Sequence, residues 1–205
     1  MLLKKLIETS EHAESYYAAS ASWQTGYPEF EGELSTDVVI IGGGFSGVST
    51  AVELCEKGYK VALLEANRIS WGASGRNGGQ LIGGLGQSPD SFKRTIGLDG
   101  VEAIYQMGDE GVDIVKERIE KYGIDCDLKW GYCEAGLTPR HIRAYKEWAE
   151  EDEDIQLLDK SQLREFINSD LYLGGYYKSN WGHLHPLNLC IGEAKVAENL
   201  GARIF

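Results

Sequence analysis

Apolar residues follow two rhythms along this chain. Thr36–Ile41 (TDVVII) and Tyr59–Glu65 (YKVALLE) are short runs without polar alternation, which predicts strands buried on both faces. Between them lie a cluster of glycines and a helical stretch to Lys57, with Gly58 placed to end it. A strand–helix–strand unit of this kind implies parallel strands joined by a right-handed crossover. Farther on, Val101, Ile104, Tyr105, Val112, Val115, Ile119 and Tyr122 repeat with the helical period. Asp99 and Glu102 form a D-x-x-E variant of the capping box ahead of them, and Gly123 closes the helix.

The remaining elements are shorter. CDLKWGYCEAGL predicts two short strands around Gly131. Thr138-Pro139 is suited to N-cap and N1 of a further helix, which runs into the solvated acidic stretch EEDED. IQLLD is strand-like, and Asp159 with Gln162 again has capping-box spacing. LYLGGYYKSNWGHLH is extended, Pro186 opens a last helix that Gly201 stops, and ARIF starts another buried strand. Residues 1–35 are expected to form an irregular N-terminal arm.

Composition narrows the function classes. The chain has 205 residues, 42% of them hydrophobic and 25% charged, which suits a globular protein. A net charge of -12 disfavours duplex nucleic acid as a partner, because phosphate contacts need clustered Lys and Arg. No apolar run approaches the ~18 residues of a membrane helix. The opening MLLKKLIETSEHAES has no signal-peptide pattern. Four scattered cysteines without a C-x-x-C pair suit a reducing compartment and offer no metal site. Cytoplasmic location is the expectation.

The chemistry concentrates after the first strand. Gly42, Gly44 and Gly47 in GGGFSG satisfy G-x-G-x-x-G between a buried strand and a helix. In that position the first glycine permits the turn, the second lets a pyrophosphate approach the backbone, and the third allows close helix–strand packing. The helix N-terminus faces the phosphates. Glu65 ends the second strand, 18 residues beyond Gly47, where a carboxylate accepts from adenosine ribose hydroxyls and repels a 2′-phosphate. The fingerprint alone leaves NAD and FAD both open. WGASGRNGGQLIGGLG, with seven glycines in sixteen residues, favours FAD, since a flavin needs a second length of small-residue backbone to lie along. Ser74, Asn77 and Gln80 add side-chain hydrogen bonds, and Arg68 or Arg76 balances phosphate charge.

The stretch DVVIIGGGFSGVSTAVELCEKGYKVALLEANRISWGASGRNGGQL resembles the FAD-dependent D-amino-acid oxidase-like (DAO) family, and within it the gamma-glutamylputrescine oxidases. SYYAAS, ERIEKYGIDCDL and GHLHPLNLCIGEA extend the resemblance over nearly the whole chain. It implies an α/β fold in which a Rossmann-like FAD-binding domain is interleaved with a mixed-sheet α+β substrate domain. The corresponding division is 36–125 for the FAD-binding domain, 126–185 for part of the substrate domain, and 186–205 for an incomplete return to the first. Family members run to about twice this length, so the chain is expected to represent an N-terminal half. Such a half is expected to be poorly stable alone, with the other half or a second copy as partner.

The implied chemistry is hydride transfer from an amine-bearing carbon to flavin, hydrolysis of the imine to aldehyde and ammonia, and reoxidation by O2 to hydrogen peroxide. Carried over by position, Gly42, Gly44 and Gly47, with Phe45 and Ser46 beside them, hold the pyrophosphate. Glu65 and Ala66 lie at the adenosine ribose, with Arg68 near. Ala73, Ser74, Asn77, Gly78, Gly79 and Gln80 line the path to the flavin. That segment has no histidine, so FAD is expected to bind noncovalently. His183 and His185 are weak catalytic candidates, and their spacing puts both on one face of an extended segment. The competing reading, from another class, is a non-catalytic nucleotide-binding remnant. An NAD-dependent dehydrogenase is a third, which the long glycine-rich stretch disfavours.

Overall fold

A computed structural model describes residues 11–23, 26–86 and 88–205. Residues 1–10 and 24–25 of the expected N-terminal arm therefore lie outside the described residues. The rest of the arm is not wholly irregular. Ser15 Oγ accepts from the Ala18 N–H at 3.2 Å and caps a five-residue helix, α1 (Tyr16–Ser20). The contacts separate two compact units, one comprising the chain through Gly79, Ile114–Asp127 and Leu184–Phe205, the other Gln80–Asp113 and Leu128–His183.

In the first unit, β1 (Val38–Ile41), α2 (Phe45–Glu56) and β2 (Val61–Leu64) realise the strand–helix–strand pattern. After the second unit the chain returns through α6 (Pro186–Asn199) to β7 (Arg203–Ile204). The sheet order is β1-β2-β7, all parallel, with Val38 opposite Val61 and Ala62 opposite Arg203. Val48, Ala51, Val52 and Cys55 recur at i, i+3, i+4 and i+7 of α2 and are all buried. They meet a face of α6 that buries Leu187, Cys190, Ile191 and Ala194. Each fully buried Val or Leu contributes about 1.5–3 kcal/mol.

β1 departs from the expected two-sided burial. Val39 is 55% and Ile41 78% exposed, whereas Val61, Ala62 and Leu63 of β2 are buried. β1 is an edge strand, covered among the described residues only on the side toward α2. Among its described residues the unit also holds a buried ion pair. Arg118, 7% exposed, donates to Glu193 Oε1 of α6 at 2.9 Å and to Ser49 Oγ of α2 at 2.7 Å. Burial pushes the Glu193 carboxyl above its ordinary pKa of 4.5 and the guanidinium pulls it back.

In the second unit, β6 (Gly174–His183) is the central strand of an antiparallel sheet. β4 (Lys129–Gly136) pairs along its whole length, and β3 (Gln80–Leu81) and β5 (Ile155–Asp159) pair at its opposite ends. β4 is one strand rather than two. The pairing shifts between Trp130 and Tyr132, where Gly131 at φ 101° faces residues 179–181 of β6, so the extra residues lie on β6 and β4 runs through its glycine without a turn. Helix α3 (Lys93–Tyr122) contains the expected period, but its break falls at Gly97 (φ 73°, ψ -178°), two residues before the expected cap at Asp99. Val101, Val112 and Ile119 are buried as the period requires, while Tyr105 is 46% exposed. Helix α4 (Pro139–Glu151) starts as expected, with Thr138 Oγ accepting from the His141 N–H at 3.3 Å. Helix α5 (Lys160–Leu163) has the full Asp159–Gln162 capping box.

Candidate functional site

The turn from β1 into α2 is built by three glycines in succession. Gly42 has φ 101°, which an L side chain rarely adopts, and its N–H donates to Leu64 O at 2.7 Å. Gly47 sits one turn into α2, where a Cβ would collide with the Gly42 carbonyl. At Gly44 a Cβ would lie 2.9 Å from Ser74 Oγ. Gly44 is the N-cap of α2 and has no side chain to satisfy the first helical N–H groups. The helix therefore presents N–H donors and its positive end to whatever approaches this turn.

Glu65 reaches the same turn from the end of β2. Its Oε2 accepts from the Gly43 N–H at 2.6 Å and its Oε1 from the Asn67 N–H at 2.9 Å. Each oxygen retains a lone pair for a further donor. The carboxylate is thus oriented by backbone before any ligand arrives. Gly43 was not singled out by the sequence pattern, because the fingerprint leaves that position unspecified. Its N–H positions Glu65, and a Cβ there would clash with Ile69.

The glycine-rich segment is brought to the head of α2. Ser74 Oγ accepts from the Phe45 N–H at 3.0 Å, joining residues 29 positions apart. Ala73 and Ser74 belong to a single 3-10 turn, Ala73–Gly75. Asn77 is occupied locally: its amide donates to Ser74 O at 2.8 Å and its Oδ1 accepts from the Gly79 N–H at 2.8 Å. Gly79 is buried, whereas Gly78, Ala66 and Ser46 are exposed. The two arginines weighed for phosphate charge have other contacts. Arg68 pairs with Glu11, and the Arg76 guanidinium lies 5.3 Å from the centroid of the Trp71 ring.

The two histidines part company. His185 belongs to the first unit and is the N-cap of α6, its Nδ1 accepting from the Asn188 N–H at 3.1 Å while Nε2 lies 3.1 Å from Ser20 Oγ. Burial holds its pKa below 6.5, so the ring is neutral and able to accept. The signal was present in the sequence, since a residue immediately before a Pro at N1 is an N-cap by position. His183 belongs to the second unit, exposed on β6, and pairs in register with Gln80 of β3. Among the described residues no group of His, Cys, Asp and Glu is arranged to hold a metal ion.

The open space beside Gly42, the helix end whose N-cap glycine leaves N–H groups beyond Phe45 without a side-chain cap, and the prepositioned Glu65 carboxylate fit a dinucleotide: phosphate toward α2 and ribose hydroxyls toward Glu65. Comparison with known proteins gives the same direction. The "Probable oxidoreductase OrdL" of Haemophilus influenzae is 43% identical over 201 residues, covering 95% of this chain and 47% of that protein. The gamma-glutamylputrescine oxidoreductase of Escherichia coli is 37% identical over 201 residues, covering 96% and 47%. The chain thus spans about half the length of these relatives. Among solved structures, glycine oxidase from Bacillus cereus matches with a TM-score of 0.63 and 26% identity over 83% of this chain and 46% of that one. L-amino acid deaminase from Proteus myxofaciens shares the fold, with a TM-score of 0.73 at 22% identity over 91% of this chain and 41% of that one. The DAO family, described as FAD dependent oxidoreductase, matches residues 37–205, and the chain belongs to that family.

Proposed function

We propose that this chain carries the FAD-binding unit and part of the substrate unit of an amine oxidase acting on a gamma-glutamylputrescine-like amine. The single observation that carries the reading is the junction of three segments at one helix end. Gly42–Gly47 form the turn, Glu65 is anchored to it through Gly43, and Ser74 caps Phe45 from the glycine-rich stretch. The choice of amine rests on the likeness to the E. coli oxidoreductase.

When bound, FAD supplies the two-electron acceptor that amine oxidation and the return of electrons to O2 require. The protein's part is binding and orientation. The N–H groups of Ser46 and Gly47 would donate to phosphate oxygens, with the Phe45 N–H held by Ser74 Oγ, and Glu65 would accept from ribose hydroxyls. Ala73, Ser74, Gly78, Gly79 and Gln80 offer backbone and short side chains along the rest of the dinucleotide, held without a covalent bond. Asn77 contributes indirectly, because its side chain ties Ser74 O to the Gly79 N–H and so shapes that backbone. His185, committed to capping α6, is a structural residue in this reading rather than a proton carrier.

Among the described residues no helix is long and apolar enough to cross a membrane. The four cysteines are free thiols, which supports the cytoplasmic reading. The test is hydrogen peroxide release by the FAD-loaded protein with gamma-glutamylputrescine, putrescine, sarcosine and D-alanine. The reading expects the first to be preferred. Preference for D-alanine or sarcosine overturns the choice of amine, and tight FAD binding without turnover of any amine favours the non-catalytic alternative.

A further inference from the structure

Ser70 stands in the left-handed region, at φ 65°, with 1% of its surface exposed. It is the third residue of a turn, Arg68–Trp71, that the Trp71 N–H closes by donating to Arg68 O at 2.9 Å. Positive φ at the third residue and not at the second is the pattern of a type II turn, where glycine or asparagine is favoured. A serine in that place is strained, and such strain persists only where the surroundings fix it. Here they fix it on both sides. The Ser70 N–H donates to Gly43 O at 2.8 Å, and the Ser70 carbonyl packs so closely on Gly75 that a Cβ there would lie 2.4 Å from it.

The Gly43 carbonyl has a second donor, the Cys190 thiol of α6, with Sγ at 3.7 Å. Cys190 is buried, and burial pushes its pKa up to about 12, so the thiol keeps the proton it donates. Two buried donors thus hold this carbonyl toward the interior. In a trans peptide the N–H points opposite to the carbonyl, so the Gly44 N–H faces away from the interior. The amides on either side are engaged: Gly42 N–H with Leu64 O, Gly43 N–H with Glu65 Oε2, and Phe45 N–H with Ser74 Oγ. The Gly44 N–H has no acceptor among the described residues. A backbone donor fixed in direction and left without an acceptor suits an anionic oxygen.

We propose that Ser70 is a positioning residue for the dinucleotide: its left-handed backbone turns its N–H onto the Gly43 carbonyl and so aims the Gly44 N–H at the pyrophosphate. Half a rotation of the same peptide would present the carbonyl oxygen to the phosphate and repel it. The role belongs to the backbone conformation and not to the hydroxyl. It rests on the dinucleotide reading of this turn, and it depends on the pyrophosphate rather than on the flavin.

The test uses the full chain with ADP, which has the pyrophosphate and no flavin, and with adenosine, which has no phosphate. Two variants separate conformation from hydroxyl. Ser70→Gly loses the hydroxyl and adopts positive φ freely, whereas Ser70→Thr keeps the hydroxyl and its β-branch resists positive φ. In calorimetry Ser70→Gly is expected to bind ADP at least as tightly as wild type. Ser70→Thr, its fold checked by circular dichroism, is expected to bind ADP about tenfold more weakly, the scale of one residue's left-handed strain. Adenosine affinity, read by competition with ADP, is expected to change less than about twofold in either variant. In the ligand-free wild type, hydrogen exchange followed by NMR is expected to be slow at the Ser70 amide and fast at the Gly44 amide. If Ser70→Thr does not fold, Ser70→Gly and the exchange rates still decide. The proposal is overturned by a weakened Ser70→Gly, by equal loss of ADP and adenosine, by a Ser70 amide that exchanges as fast as that of Gly44, or by no ADP binding in wild type. ADP binding without FAD binding overturns the flavin reading alone and leaves the role of Ser70 standing.

Discussion

Replacing Arg118 by methionine removes the only partner that the described structure gives the Glu193 side chain. Glu193 is 3% exposed and bonds Arg118 at 2.9 Å, so the variant leaves a carboxylate buried without a counter-charge. The contact with Glu53 is longer, 3.4 Å, to a side chain 48% exposed, and contributes little. The loss is then dominated by the buried pair, for which removal of one partner costs about 3–5 kcal/mol. Replacing both partners, Arg118→Met with Glu193→Met, removes the orphan and should recover most of that loss. The pH dependence follows from Glu193. Its folded pKa lies above 4.5, and without Arg118 it rises further, because the guanidinium is what lowers it. A carboxyl with a raised folded pKa has its stability in full below the unfolded value and loses it as pH rises through the folded one. The single variant's deficit must therefore shrink from neutral pH toward the carboxyl's ordinary 4.5. Urea unfolding of wild type, both single variants and the double variant at several pH values measures all of this. A deficit under about 1 kcal/mol, typical of exposed pairs, or a double variant as unstable as the single, refutes the reasoning.

Three further outcomes are expected. Gly47→Ala drives a methyl into the Gly42 carbonyl, so it should cost about 1–3 kcal/mol in chemical unfolding and weaken FAD binding together. His185→Ala should lose the α6 cap, about 0.5–2 kcal/mol, and His185→Asn should retain most of it. Since burial lowers the His185 pKa, the cap's stability is present above 6.5 and is lost as pH falls through the lower folded value, which a thermal melt series in wild type and His185→Asn detects. Glu65→Gln places an NH2 where a carboxylate oxygen now accepts from Gly43 or Asn67, and FAD affinity by fluorescence titration should fall, with the β1–α2–β2 fold intact by circular dichroism.

The geometry of the β1–α2 turn was legible because its requirements are local: a glycine at positive φ, a glycine against a carbonyl, a carboxylate at a strand end. Capping was legible for the same reason at Thr138 and Asp159, where a side chain and an N–H three residues away decide the outcome. Where distant chain decides, sequence reading fell short. Two short strands were expected around Gly131, but pairing with the long β6 carries one strand through it, the extra residues of the irregular stretch lying on β6. The Asp99–Glu102 box was overruled by Gly97, whose positive φ sets the break in α3 two residues earlier. Two-sided burial of β1 requires cover that the described residues do not supply, which no property of TDVVII reveals. Glu134 accepts from the Tyr145 and Tyr176 hydroxyls and so joins β4, α4 and β6, across 42 residues at the extreme, so no spacing rule finds the cluster.

The central claim is that the α2 end, Glu65 and the glycine-rich segment together hold FAD. Purification of the protein with FAD, followed by its visible spectrum and a titration comparing FAD with NAD, tests it most directly. The account predicts flavin absorption bands that persist through gel filtration, and FAD binding that Gly44→Val abolishes. A colourless protein that NAD stabilises and FAD does not would contradict it.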